Sequence, residues 1–481
     1  MKKSIKKQIF IISLTMITHT AMAEDPVIGL KECIKKGLEN NLNVHRAEYE
    51  RLSAREAVVQ TESRYEPSVS LSASRTDQKT SGTSALYGSE NEMYTIELGV
   101  NKRFSATGGS LGLSWANEKT DTDSAFMSTF NPFYDSSLSL TYSQPLLKNF
   151  VGRNDKLTLE NIGIYEQIAN LSYIYNMNGL VYLVENAYYD LVFAVKNLDI
   201  KKASLDRSKR LLNINRKKMK DGLMEEVDVI ATEAAVTIQG AAIMLAEDSV
   251  KTAKENLRRI IGIAPGSACD FMIDINTDFE HTDVELDVVY GKALANRADL
   301  GIMELNIEAG KLDEKIRRNE KLPELRLDTS YSLADTSEDL SGNYDTIAAG
   351  DYPTWYAGLT LNLFPLSRKT KSALKQARYA NNLNAAELED KKDQIRVECA
   401  QALRNFNTYA KYVIAATRSL ELQRRKLHLE ELKFNQGRSS IQWVLNYQDD
   451  LSNSEVEYYR ALTDYFKAQS RLVNVIGAEA I

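Results

Sequence analysis

Residues able to do chemistry are sparse in this chain of 481 residues. It has four histidines, His19, His45, His281 and His428. None lies in an HExxH pair or a triad-like setting, so they read as surface or helix-face side chains. The three cysteines, Cys33, Cys269 and Cys399, are far apart and lack CxxC spacing, which argues against a zinc site. One disulfide and one free thiol suit an oxidising compartment, and the spacing does not choose the pair. Gly108-Gly109-Ser110-Leu111-Gly112 matches GxSxG. That elbow must join a strand to a helix, and here it joins a turn to a strand. No GxxxxGK[ST] phosphate loop is present, so any energy source lies in a partner. The sequence therefore gives no catalytic residue, no metal site and no cofactor, and does not read as an enzyme. One dense charged feature remains: Arg207, Lys209, Arg210, Arg216, Lys217, Lys218 and Lys220. It is either a solvated helix face or a surface for a partner protein.

The elements that would position these residues begin after a secretory leader. Lys2, Lys3, Lys6 and Lys7 precede the apolar run Ile9 to Ile17, and Ala21-Met22-Ala23 is the cleavage site. Removing residues 1–23 takes away four lysines and no acid, so the formal charge moves from -6 to -10. That argues against nucleic acid as a partner. No later segment reads as apolar over the ~18 residues of a membrane helix. A membrane-spanning form of this chain would then have to use strands.

The second half repeats the first. Pro67, Pro145, Gly222 and Gly262 mark one copy; Pro323, Pro365, Gly437 and Gly477 mark the other. Each copy reads helix, proline, alternating strands, proline, then a long helical hairpin. The first repeat spans 24–262, with a helix over 30–64, about four strands in 68–144 and a hairpin turning near 222. A linker covers 263–285. The second repeat spans 286–481, with a helix, two strands in 324–364 and a turn near 437. The spacing describes a rod of antiparallel helices, because two short helices end to end match one long one at 1.5 Å per residue.

The strands alternate cleanly. Val69, Leu71 and Ala73 oppose Ser68, Ser70, Ser72 and Ser74; Ile96, Leu98 and Val100 oppose Thr95, Glu97 and Gly99. The same holds around Leu113, Leu140, Leu327 and Leu361. Loops are expected over 76–91 and 117–135, a tight turn at 105–109, and an acidic loop carrying Asp335, Glu338, Asp339, Asp345 and Asp351. One apolar and one polar face fit either a lipid-facing wall around a wet lumen or a soluble sheet with one solvated side. Aromatic residues near the strand ends (Phe104, Trp115, Tyr142, Tyr352, Trp355, Tyr356) favour the wall. Four to six strands cannot close a barrel, and open edges cannot face lipid, so several copies would share one.

Short motifs extend this reading. They are Asn296-Arg297-Ala298-Asp299-Leu300, Leu322-Pro323-Glu324-Leu325, the run Tyr356 to Pro365 (YAGLTLNLFP), Gly222 to Asp228 (GLMEEVD) and Gly437 to Leu445 (GRSSIQWVL). In this order, and duplicated, they make the chain resemble the outer-membrane efflux proteins, the TolC-like trimeric channels. The resemblance implies an α+β membrane protein: a shared outer-membrane β-barrel and a long coiled-coil periplasmic α-barrel. It implies a homotrimer in outer-membrane lipid, working as an exit duct for efflux or type I secretion with a periplasmic adaptor (membrane fusion) protein and an inner-membrane transporter. The gate would lie at the helical turns: Gly222, Leu223, Met224 and Asp228 in the first, Gly437, Arg438, Ser439, Trp443 and Asn446 in the second. Asp228 matches a carboxylate that links neighbouring turns in the family. The second turn departs from the pattern, with Trp443 and Asn446 where acids are expected and Ser439 where an arginine is expected. Trp443 then either plugs the mouth or packs in a core or interface. Asp449 and Asp450 either restore an acidic ring or are solvated. The extra hairpin over 92–115 decides between twelve and eighteen strands per trimer, and its clean alternation favours eighteen. The competing reading of the whole chain is a soluble periplasmic coiled-coil adaptor or scaffold.

Overall fold

The computed structural model describes residues 27–79, 90–123, 131–264, 270–273, 284–363 and 368–477. The expected leader, Cys269, His281 and Pro365 lie outside the described residues. The chain forms two compact units. One comprises the residues up to Asn40, Val184–Glu280 and Ala415–Thr463; the other comprises Asn41–Leu183, His281–Ile414 and Asp464–Ile481.

The first repeat contains β1 (Val27–Ile28), α1 (Leu30–Asn40), α2 (Leu42–Glu62), β2 (Ser68–Lys79), β3 (Glu90–Arg103), β4 (Ser110–Thr122), β5 (Phe133–Pro145), α3 (Arg153–Lys220) and α4 (Glu226–Ile260), and the linker holds β6 (Asp270–Phe271). The second contains α5 (Leu286–Asn296), α6 (Ala298–Glu320), β7 (Glu324–Ser337), α7 (Leu340–Ala349), β8 (Pro353–Asn362), α8 (Arg368–Asn435) and α9 (Ile441–Ile476). The repeat is close to exact in length. Helices α3 and α8 have 68 residues each, and α4 and α9 have 35 and 36.

The single helix expected over 30–64 is in fact two. The chain breaks at Asn41, whose extended backbone and side chain cap α2 by accepting the Asn43 N–H at 2.8 Å. Packing explains the break. Gly262, just past the end of α4, lies against Asn40, and a Cβ there would stand 2.5 Å from the Asn40 carbonyl oxygen. The second repeat does the same. The helix breaks at Arg297, and a Cβ on Gly477 would stand 3.0 Å from the Arg297 Cα. There the Arg297 guanidinium grips Asp299 at 2.7 Å and Glu398 at 2.7 Å. The Asn-Arg-Ala-Asp-Leu motif is thus the keystone of a helix junction.

In the second unit the larger sheet is antiparallel, in the order β2-β3-β4-β5-β7-β8 among the described residues. The hairpin β3–β4 is an integral part of it. The two repeats meet at β5 and β7, where Leu138 opposes Leu333 and Leu140 opposes Tyr331. Strands run further than alternation suggested: β2 reaches Lys79 and β4 reaches Thr122, inside both expected loops. Charged cross-strand pairs such as Lys79–Glu90 (2.8 Å) carry the ladder where hydrophobic alternation has ended. The tight turn is present, with Phe104 N–H donating to the Gly109 carbonyl at 2.9 Å.

The acidic loop expected around 335–351 instead holds β7's last residues and helix α7. Buried Asn343 anchors α7 by donating to the Tyr134 carbonyl at 2.7 Å and to Ser136 Oγ at 3.1 Å. Tyr344 stacks on Trp115 with ring centroids 6.2 Å apart. Trp115 sits mid-strand, so α7 covers the apolar face there and leaves it bare on the edge strands β2 and β8. Cys33 and Cys399 are both buried.

One expectation about membrane helices is overturned. Helix α4 is long and apolar enough to cross a membrane by length and composition. Its alanines and Ile, Val and Met residues carry few charges, but the helix alternates exposed large apolar residues (Ile230, Ile238, Met244, Leu245) with small ones. Only 17% of that stretch is buried in the single chain.

Candidate functional site

The two helical turns belong to one unit and are built alike. Gly222 and Gly437 adopt left-handed φ values of 71° and 73°. Leu223 N–H returns to the Lys218 carbonyl at 2.8 Å, and Arg438 N–H to the Lys433 carbonyl at 2.9 Å. These bonds close the last turns of α3 and α8 and satisfy carbonyls that would otherwise be orphaned. Glycine is required because the left-handed region is unfavourable for residues with a Cβ. Beneath the turns lies an apolar cluster of Leu211, Leu427, Phe434, Ile441, Val444 and Leu451, with Met224 packed against it.

Polar ties join the first hairpin to the second. Lys218 Nζ donates to the Phe434 carbonyl at 3.2 Å and stands 4.0 Å from that ring's centroid. Arg207 pairs with Glu455 at 3.3 Å, and Gln239 donates to Asp449 at 3.3 Å. Within the first hairpin, fully buried Asn215 donates to Thr232 Oγ at 2.8 Å, and Thr232 in turn donates to the Asp228 carbonyl. Within the second, Lys426 pairs with Asp450 at 2.8 Å and lies 3.7 Å above the Tyr447 ring. Glu430 accepts from Ser439 Oγ and pairs with Lys433.

The residues singled out from sequence fall into three groups. Gly222, Gly437 and Met224 are parts of the turns themselves. Leu223, Arg438, Trp443 and Asn446 are exposed, with Trp443 53% accessible. Trp443 therefore does not pack in the protomer's core. It leans on Tyr447, 5.8 Å between centroids, while Asn446 accepts from Gln442 at 2.9 Å. Asp228 lies in the first turn of α4 and makes no ion pair among the described residues. Ser439, in the place where an arginine was expected, ties the turn back to α8. Asp450 is neutralised by Lys426, which leaves Asp449 as the exposed acid of that pair.

Of the basic run, Arg207, Arg216 and Lys218 are engaged, Arg216 by Glu233 at 2.6 Å. Lys209, Arg210, Lys217 and Lys220 are exposed and without an ion-pair partner among the described residues. Sequence reasoning missed Lys218 with Phe434, Asn215 with Thr232, and Lys426 with Asp450. Asn215 alone carried a signal, a polar side chain in register with Leu211 and Leu212 on the buried face. Among the described residues no group of His, Cys, Asp or Glu is placed to hold a metal. Ser110 opens β4, so the GxSxG match forms no elbow.

Residues 289–478 match the family described as outer membrane efflux protein. The chain is 23% identical over 348 residues to outer membrane protein TolC of Vibrio cholerae, covering 71% of this chain and 76% of that one. Among solved structures it is similar to CusC, with a TM-score of 0.71, 16% identity and coverage of 93% and 92% of the two chains. It is also similar to VceC of Vibrio cholerae (TM-score 0.69, 15% identity, 93% and 96% covered). A third similar structure is the open-state outer membrane channel MtrE of Neisseria gonorrhoeae (TM-score 0.68, 15% identity, 93% and 89% covered).

Proposed function

We propose that this chain, whose residues 289–478 match the outer membrane efflux protein family, resides in the outer membrane with its long helices in the periplasm and is a passive, gated exit duct built as a homotrimer. The observation that carries the proposal is the sheet's pair of open edges. Edge strand β2 is exposed along its whole length, and β8 along most of its own. Leu71 and Trp355, on the apolar face, are 73% and 76% accessible. Unpaired edges are untenable in lipid, so β2 of one copy must pair with β8 of the next. Six strands from each of three copies close an eighteen-stranded barrel, wide enough for a watery lumen.

The polar strand faces, with Ser70, Ser72, Thr95, Ser139 and Ser332, then line that lumen. The exposed apolar residues of α4 are covered by neighbouring helices of the assembly. The turns around Gly222 and Gly437 form the periplasmic mouth. Gating is a shift between two packings of those hairpins, biased by whichever partner binds the open form better. A periplasmic adaptor and an inner-membrane transporter supply that bias and the energy for export, in keeping with a sequence that has no GxxxxGK[ST] phosphate loop. The exposed Lys209, Arg210, Lys217 and Lys220 offer the adaptor a basic surface. Exposed Trp443 occludes the mouth when three copies meet, in place of the acidic ring that Trp443 and Asn446 do not provide.

The test is planar-bilayer conductance of the detergent-purified trimer. Wild type should conduct through discrete steps, and Trp443→Ala should raise the resting conductance severalfold. A water-soluble monomer, or a trimer that never conducts in either form, would refute the proposal.

A further inference from the structure

The junction between β5 and α3 combines a strained backbone, a rigid polar frame and exposed apolar side chains. Asn149 and Val151 both lie in the left-handed region, at φ 60° and 52°. For a β-branched residue that is a true outlier. Gly152 follows at φ 65°, and a Cβ there would stand 1.8 Å from the Ser105 carbonyl oxygen. The frame that enforces this conformation centres on Asn149. Its N–H donates to Asn319 Oδ1 at 2.9 Å, its Oδ1 accepts the Asn154 N–H at 2.9 Å, and its Nδ2 donates to Asp155 at 2.9 Å. Asp155 is buried and paired with Arg103 at 2.8 Å.

What this frame presents is apolar. Leu147, Phe150 and Val151 are 40%, 52% and 48% accessible. They cannot fold back, because the backbone beneath them is fixed. Lys148, Arg153 and Lys156 flank them and have no ion-pair partner among the described residues, while the one acid among them, Asp155, is already neutralised. The junction continues the sheet's apolar face at its helix-side end, where Leu146 N–H donates to the Leu325 carbonyl at 2.8 Å. Strand pairing between copies does not cover it. Copies pair through β2 and β8, whereas β5 is separated from those edges by β3 and β4 on one side and β7 on the other.

We propose that residues 147–151 form an interfacial foot that inserts Leu147, Phe150 and Val151 into phospholipid at the periplasmic boundary of the membrane. Lys148, Arg153 and Lys156 meet the phosphates there. Apolar side chains rimmed by basic ones are the composition that such a boundary selects. The strained turn fixes the depth at which the sheet sits. This inference rests on the membrane reading of the sheet.

The experiment uses full-length trimer carrying Phe150→Trp, reconstituted in phosphatidylethanolamine–phosphatidylglycerol vesicles with acyl chains brominated near the headgroup or near the chain end. The emission gained over wild type should be more than halved by the shallow bromines and far less affected by the deep ones. Native Trp355, 76% accessible on the apolar face, serves as the internal control for membrane contact. Gained emission that ignores both bromine positions, whether in water or against protein, overturns the foot while leaving the barrel intact. Wild-type emission that neither bromine position reduces, Trp355 included, overturns the membrane reading, and the foot with it. Leu147→Trp reports the same contact if Phe150→Trp fails to assemble.

Discussion

Lys218→Met keeps the side chain's length and removes its charge, so it isolates one tie between the hairpins. The ammonium stands 3.2 Å from the Phe434 carbonyl oxygen and 4.0 Å from its ring centroid. A hydrogen bond to a charged group contributes roughly 1.5–3 kcal/mol net, and a cation over an aromatic face about 0.5–1 kcal/mol at an accessible site. Two features favour the low end. Lys218 is half-buried, and the Phe434 carbonyl keeps a second donor, the Gly437 N–H at 3.1 Å. The loss is then about 1–2 kcal/mol per chain. If the three hairpin pairs separate together, the total is about 3–6 kcal/mol, a change of roughly a hundredfold to ten-thousandfold in the open-to-closed ratio. Single-channel recording reads this directly as open fraction. Lys218→Met should raise it strongly, and Lys218→Arg, which keeps charge and donor, should stay near wild type. An assembled Lys218→Met trimer with wild-type open fraction would refute the idea that this lysine holds the hairpins together.

Two further predictions concern assembly and pH. Gly222→Ala adds a methyl to open space, so it should cost only the left-handed strain of about 1–2 kcal/mol, while Gly152→Ala collides with the Ser105 backbone and should abolish heat-resistant trimers; semi-native gel electrophoresis compares them. Burial raises the Asp299 carboxyl's pKa, but hydrogen bonds and charge from Arg297, with Lys391 at 3.2 Å, outweigh it and hold the group below the usual carboxylate range. Its stabilising effect is therefore complete above the unfolded pKa of about 3.9 and is lost as pH falls through the lower folded value. Asp299→Asn should cost about 2 kcal/mol at neutral pH and flatten the acid limb of thermal stability measured by circular dichroism. An acid limb unchanged in Asp299→Asn would place the acid sensitivity elsewhere.

Much of the architecture was legible because it is written in local rules. Glycine past a helix end, proline before a strand and period-two alternation act within a few residues, and duplication made each signal appear twice. The equal lengths of α3 and α8 follow from that. Charged strand ends such as Lys79–Glu90 read as loop, because hydrophobic alternation has ended before them. Helix α7 was hidden for a similar reason: its anchor Asn343 makes sense only once Tyr134 and Ser136 stand beside it.

By itself, then, the sequence determined the repeat, the two glycine turns, the strand faces and the kind of wall they suit. Only the tertiary structure decided which side chains from distant segments meet: Lys218 with Phe434, Gly262 with Asn40, Asn149 with Asn319. Those contacts depend on chain segments far apart in sequence arriving within a few ångströms, and residue type alone does not encode that distance. The strain at Val151 belongs to the same class, because a valine shows its left-handed backbone only when the surrounding hydrogen bonds leave it no other conformation.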